Sequence, residues 1–268
     1  MQRRDFLAAS AAAALGIASS KVSFAQEKPA SGRQFFELRT YHFASPEKQM
    51  AYEQFLKAAA IPAFNRAGIE PVGAFKLLAK DNPKLHLSAD PANLWMVLPH
   101  NSMESVVTLS DRLADDQEFQ KAGHAILRGP KSDPAYLRYD STLLLAMEGT
   151  PKIAAPTKAE TRLFELRTYE SHNAERAQNK LGMFNKGEFQ IFGRAGMPGI
   201  FFGGAIVGEG MPQLTYMIVH ENPADTDKQW NAFFNDPGWK KLSGNSSYKD
   251  NVSKVIDHFL RPAEGSQI

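Results

Sequence analysis

The chain contains no cysteine. That absence excludes disulfides, thiolate metal centres and a cysteine nucleophile together, and leaves the redox compartment to be read from other features. Charge of one sign is also scarce. The formal net charge of +2 is supplied by Arg3, Arg4 and Lys21 against Asp5, so the part beyond residue 25 sums to about zero. A nucleic-acid binder concentrates Lys and Arg to neutralise phosphates, so no nucleic acid is expected as a partner. No Gly-x-Ser-x-Gly elbow, phosphate loop or His-Glu-x-x-His occurs, and the glycines from Gly203 to Gly210 lack dinucleotide spacing. They read as bends in a curved strand. What the chain does have is 43% hydrophobic content over 268 residues, enough for one large core or two small ones.

The N-terminus carries the most specific short signal. Arg3-Arg4-Asp5-Phe6-Leu7 precedes an Ala-rich apolar run from Ala8 to Ala18, and together they resemble a twin-arginine export leader. The run is too short to span a bilayer and reads as the apolar part of a signal peptide, so no stable membrane span is expected in the mature protein. Small residues at Ser23-Phe24-Ala25 place the cut after Ala25. Residues 1–25 are thus expected to be a signal peptide and 26–33 a linker, with a periplasmic or otherwise exported location.

An internal repeat organises the remainder. Phe36-Glu37-Leu38-Arg39-Thr40-Tyr41 recurs as Phe164-Glu165-Leu166-Arg167-Thr168-Tyr169, 128 positions on, and Arg66-Ala67-Gly68 recurs as Arg194-Ala195-Gly196 at the same offset. Further along the offset is 120, linking Leu94, His100 and Asp116 to Leu214, His220 and Asp236. The second copy is therefore eight residues shorter, in the stretch corresponding to Lys80–Asn93, where a longer surface hairpin in the first copy explains the difference. The repeats are assigned to 34–147 and 162–262, with 148–161 a Pro-, Ala-, Thr- and Lys-rich linker and 263–268 a tail.

Within a copy, Gln34 to His42 alternates apolar and polar residues with a period of two, as a half-buried strand does. Ser45-Pro46 opens a helix that ends at Gly68, with a kink expected at Pro62. Strands over Val72–Leu78 and Leu94–His100, a helix over Met103–Leu113 and a strand over Ala135–Met147 complete the order β-α-β-β-α-β. The predicted fold is α+β: two tandem ferredoxin-like units that cover each other's open sheet face as a pseudo-dimeric α/β barrel.

Phe-Glu-Leu-Arg-Thr-Tyr at the head of each unit, Arg-Ala-Gly at a helix end and Asp236-Pro237-Gly238-Trp239 resemble the NIPSNAP domain over nearly the whole mature chain, twice. The first copy departs from the pattern with Asp116-Gln117-Glu118-Phe119. The resemblance implies the dimeric α/β-barrel superfamily, which includes small-molecule monooxygenases, lactone isomerases and haem-dependent enzymes. It carries no single activity over to this chain.

If the helices cover the Phe36, Leu38, Thr40 face, alternation sends Glu37, Arg39 and Tyr41 into the barrel, with Glu165, Arg167 and Tyr169 likewise. Arg beside Tyr can orient a carboxylate or enolate, since one is a forked donor and the other a single one. Alternatively each Glu and Arg pair only to neutralise buried charge. His100 and His220, at equivalent strand ends, are candidate acids, bases or axial ligands, or structural histidines. Arg66 and Arg194 suit the helix C-terminus as cations. The expected function is binding of a small organic molecule in the barrel interior, with no cofactor identified. A superfamily enzyme is the alternative, either a cofactor-free monooxygenase or isomerase or a haem-dependent oxidase, and a pure interaction protein with a filled barrel is a third. Further oligomerisation is left open.

Overall fold

A computed structural model describes residues 32–268; the export leader predicted for residues 1–25 lies outside them. The first repeat contributes β1 (Phe35–His42), α1 (Pro46–Phe55), α2 (Ile61–Arg66), β2 (Gly73–Leu77), β3 (Asn93–His100), α3 (Met103–Asp115), α4 (Gln117–Ala122), α5 (His124–Leu127) and β4 (Arg138–Ala146). The second contributes β5 (Leu163–Glu170), α6 (Ala174–Met183), α7 (Phe189–Arg194), β6 (Gly199–Val207), β7 (Gln213–His220), α8 (Thr226–Asn235), α9 (Pro237–Ser243) and β8 (Lys254–Pro262).

The eight strands close into one antiparallel barrel in the order β1-β3-β2-β8-β5-β7-β6-β4. Each repeat is a four-stranded ferredoxin-like sheet, and the barrel closes where the edge strands of one repeat meet those of the other, β2 on β8 and β6 on β4. The two joins are equivalent under exchange of the repeats, which is the pseudo-dimer the duplication predicts. Closure leaves the barrel without an unpaired edge. At the β4–β6 join the strands run so close that a Cβ on Gly203 would lie 2.7 Å from the Leu144 Cβ, so this position admits only hydrogen.

Local sequence accounts for the helices. Ser45 and Ser102 cap α1 and α3 by accepting the backbone N–H three residues on, as Asn173 caps α6. The kink foreseen at Pro62 is a π-helical turn, Leu56–Ala60, between α1 and α2. The second repeat has a π-helical stretch at the equivalent positions, Phe184–Glu188, but there Gly187 at φ 144° breaks the helix and Gln190 stands in place of the proline. Each copy thus interrupts its first helix at the same place by a different residue, Pro62 in the first and Gly187 in the second.

Among the described residues the core falls into three apolar clusters. One lies inside the barrel, where Phe36 meets Phe201 at 5.2 Å and Phe164 meets Phe75 at 4.8 Å, each repeat's first strand touching the other repeat. The other two lie between each sheet and its own helices, one around Tyr41, Phe64 and Leu94 and one around Phe184, Phe192 and Tyr216. Fully burying a side chain such as Phe36 stabilises by roughly 1.5–3 kcal/mol, so the aromatic pairs inside the barrel tie the two repeats together.

Candidate functional site

The alternation of β1 and β5 is as predicted, but the two faces are exchanged. Phe36, Leu38 and Thr40 turn into the barrel with Phe164, Leu166 and Thr168. Glu37, Arg39, Tyr41 and His100 instead lie on the outer face beneath the helices of the first repeat, and Glu165, Arg167, Tyr169 and His220 lie beneath those of the second. A period of two separates the faces of a strand without saying which one faces the helices. The neighbouring strand decides it, because Leu94, Met96 and Leu98 share the face of Tyr41, Arg39 and Glu37 and supply the apolar floor on which α1 and α2 rest.

Under the helices the glutamates and arginines pair with one another, while His100 Nε2 and Asp257 Oδ1 have no hydrogen-bond partner among the described residues. Glu37 Oε1 accepts from Arg39 Nε at 2.7 Å and from Ser141 Oγ at 2.8 Å, while Oε2 accepts from Arg39 Nη2 at 2.8 Å. Burial pushes the Glu37 carboxyl up, but the facing His100, the Arg39 fork and the Ser141 hydroxyl outweigh it and hold the group at about 2. His100 acts across a gap of 3.6 Å, beyond hydrogen-bond reach. In the second repeat Glu165 accepts from Arg167 Nη1 at 2.6 Å and from Trp230 Nε1 at 2.8 Å, with His220 Nε2 at 2.9 Å. Arg167 Nη1 also reaches Asp257 Oδ2 at 3.1 Å. Two carboxyls thus share one guanidinium. Glu165, with the shorter contact and two further donors, is held down, whereas burial and then the charge of Glu165 push Asp257 up to about 7. Asp257 therefore keeps its proton at mildly acidic pH.

The second repeat also buries an ion pair that the first lacks. Lys180 Nζ donates to Glu188 Oε2 at 2.8 Å across the π turn, and the corresponding residues 128 positions earlier are Tyr52 and Ala60. The paired cations and carboxylates match the structural alternative raised for these positions, in which buried charge is neutralised locally. Arg66 and Arg194 likewise find partners: each forks onto an aspartate, Asp116 at 2.9 and 2.9 Å and Asp236 at 2.8 and 2.9 Å, and each aspartate also caps a short helix.

Open space lies inside the barrel. A cavity of about 730 Å³ occupies the end where β1, β5 and β2 finish and β3, β7 and β8 begin, above the apolar plug of Phe36, Phe75, Phe164 and Phe201. Its volume is in the range of a small-molecule site. Leu38, Leu77, Leu166 and Ile256 give it apolar walls, while Thr168 and Thr215 bond each other across β5 and β7 at 2.9 Å. Two histidines face it in different states of commitment. His42 has both ring nitrogens engaged, Nδ1 with Asn93 Oδ1 at 3.1 Å and Nε2 with Asp140 Oδ2 at 2.7 Å. His258 has no hydrogen-bond partner among the described residues, and its ring lies 6.0 Å from that of Trp95. Burial pushes the His258 imidazole down, so it is neutral at pH 7. Sequence reading missed His258 and Trp95, although alternation along β8 and β3 places both on the face of Leu166 and Thr40.

Residues 164–267, the second repeat, match the NIPSNAP family model. No protein of curated function matches the chain in sequence. Among solved structures it is similar to a proposed monooxygenase from Fusobacterium nucleatum subsp. nucleatum, at 9% identity and a TM-score of 0.57, over 87% of this chain and 94% of that one. A proposed monooxygenase from Lactobacillus acidophilus is similar at 11% identity and a TM-score of 0.54, over 86% and 94% of the two chains. A NIPSNAP-like domain protein from Burkholderia xenovorans aligns at 15% identity and a TM-score of 0.37, over 41% of this chain and 91% of its own. At such identities these likenesses show the fold: a closed α+β barrel of the dimeric α/β-barrel type.

Proposed function

We propose that both repeats are NIPSNAP domains of an exported protein whose barrel holds a small organic molecule at its open end. Support for export is the Arg3-Arg4-Asp5-Phe6-Leu7 leader. Support for the first repeat sharing the family of the second is the repeated Phe-Glu-Leu-Arg-Thr-Tyr strand and the repeated π turn. The observation that carries the binding reading is the cavity of about 730 Å³, apolar along its walls, with an imidazole and an indole on one side that have no hydrogen-bond partner among the described residues. The outer-face residues Glu37, Arg39, Glu165 and Arg167 have no part in it, because their charges are spent on each other beneath the helices.

A second reading, an enzyme that uses no tightly bound cofactor, is favoured by His258 alone. A neutral imidazole with neither nitrogen bonded among the described residues can take a proton from a ligand, as a general base must. Native mass spectrometry of protein purified from its export route tests the binding reading. A small adduct of roughly a few hundred daltons is expected, and it should be lost or much reduced in a Thr168→Trp variant whose indole projects into the cavity. Protein without adduct, and without a thermal shift on adding aromatic probes, would count against it. An absorption spectrum of the same sample addresses the haem-dependent variant: a Soret band that His258→Phe removes would assign the imidazole as axial ligand.

A further inference from the structure

The charges around the cavity are sorted by depth. Asp140, Glu170, Glu209 and Lys254 all sit at the mouth, where strands begin or end, giving three carboxylates against one ammonium. Asp140 is bound to His42, and Glu170 takes Lys254 at 3.0 Å. Below the mouth the walls hold no arginine or lysine among the described residues, since Arg39 and Arg167 lie on the far side of the same strands. An anion entering the cavity would pass the carboxylates and then lose its water with no cation to replace it, which is the costly way to bury a charge. A flat apolar ring meets the opposite conditions: aliphatic walls, and the tilted aromatic pair of Trp95 and His258 with interplanar angle 54°. What that pair offers in polar terms is one indole N–H donor and a neutral imidazole that can accept at one nitrogen and donate at the other.

We infer that the cavity selects an uncharged, flat aromatic molecule bearing a hydroxyl or N–H group that bonds His258, and rejects the carboxylated form of the same ring system. The inference rests on the cavity being a binding site and names the chemistry of what it takes. His258 sets the preference among rings of equal size, and the mouth carboxylates with the cation-free interior set the exclusion of anions.

Three probes of matched shape separate these claims: pyrene, 1-hydroxypyrene and pyrene-1-carboxylate, titrated by fluorescence anisotropy at pH 7 against the full chain. The hydroxyl probe should bind most tightly and the carboxylate at least about tenfold more weakly than it. His258→Phe should bring 1-hydroxypyrene to the affinity of pyrene while leaving pyrene itself unchanged, and His258→Gln, which keeps an acceptor and a donor, should retain part of the preference. Melting curves like that of the parent protein show that the variants fold. Equal or tighter binding of the carboxylate overturns the inference, as does a His258→Phe effect that is the same for pyrene and its hydroxyl derivative; in either case the cavity remains a binding site of different selectivity. Binding of none of the three at millimolar protein overturns the cavity reading together with the inference.

Discussion

Asp257 stands opposite Arg167 at the register position that Ser141 occupies opposite Arg39. In the first repeat the serine hydroxyl donates to Glu37, a role it keeps at any pH. In the second repeat an aspartate can play that role towards Glu165 only while it holds a proton. The duplication has thus kept the Glu–Arg pair and replaced a permanent donor by a titratable one.

The sign of the pH effect follows. Asp257 is raised from 3.8 to about 7 in the folded protein, so below about 4 both folded and unfolded forms are protonated and the contribution is fully present. Between about 4 and 7 the folded form binds the extra proton, and stability is lost as pH rises through that window. Asp257→Ser should therefore gain stability over the parent at pH 8, on the order of 2 kcal/mol, and little or none at pH 4. Urea melts of the two proteins at both pH values check this, and a gain independent of pH would contradict it.

Glu37 has the opposite slope. Its carboxyl is held at about 2 against 4.5 in the unfolded chain, so its stabilisation is present above about 4.5 and lost as pH falls towards 2. Arg39→Ala should strand the carboxylate at neutral pH and cost about 3–5 kcal/mol. The Arg39→Ala, Glu37→Gln double variant should recover most of the loss. Chemical denaturation of the two variants measures it, and failure of the second substitution to rescue the first would rule out a buried ion pair.

The Arg66–Asp116 and Arg194–Asp236 forks make a milder case, because both arginines are about half exposed. Their aspartates matter as helix caps, with Asp236 accepting from Gly238 N at 2.7 Å. Asp116→Ala and Asp236→Ala should each destabilise through the lost cap, whereas Arg66→Ala and Arg194→Ala should do so less, because the cap survives. Thermal melts of the four variants compare them, and equal losses within each pair would mean that the fork and not the cap holds these helices.

Much of this architecture was legible in the residues. Six identical residues at Phe36 and Phe164 exposed the duplication, and the strand and helix signals gave the β-α-β-β-α-β order and hence the barrel. What could not be read was the facing of the sheet. Glu37 and Arg39 look like the lining of a polar interior, and only their burial against Leu94, Met96 and α1 shows that ion pairing with local donors satisfies them under the helices. His258 escaped notice because a lone histidine on a strand of mixed composition carries no motif; its meaning comes from Trp95 and from cavity walls on which, among the described residues, the one lysine or arginine is Lys254 at the mouth, both set by tertiary structure.

Thr168 and Tyr169 are neighbours on β5 that face opposite ways, one into the cavity and one beneath the helices beside Tyr216, with hydroxyls 2.8 Å apart in the latter pair. The affinity of 1-hydroxypyrene for Thr168→Trp and for Tyr169→Phe, measured beside the parent protein, decides which face is functional. Loss of binding in Thr168→Trp with parental affinity in Tyr169→Phe is the result expected if the barrel interior is the site. Retained binding in Thr168→Trp with loss in Tyr169→Phe would contradict it and move the site to the layer between sheet and helices.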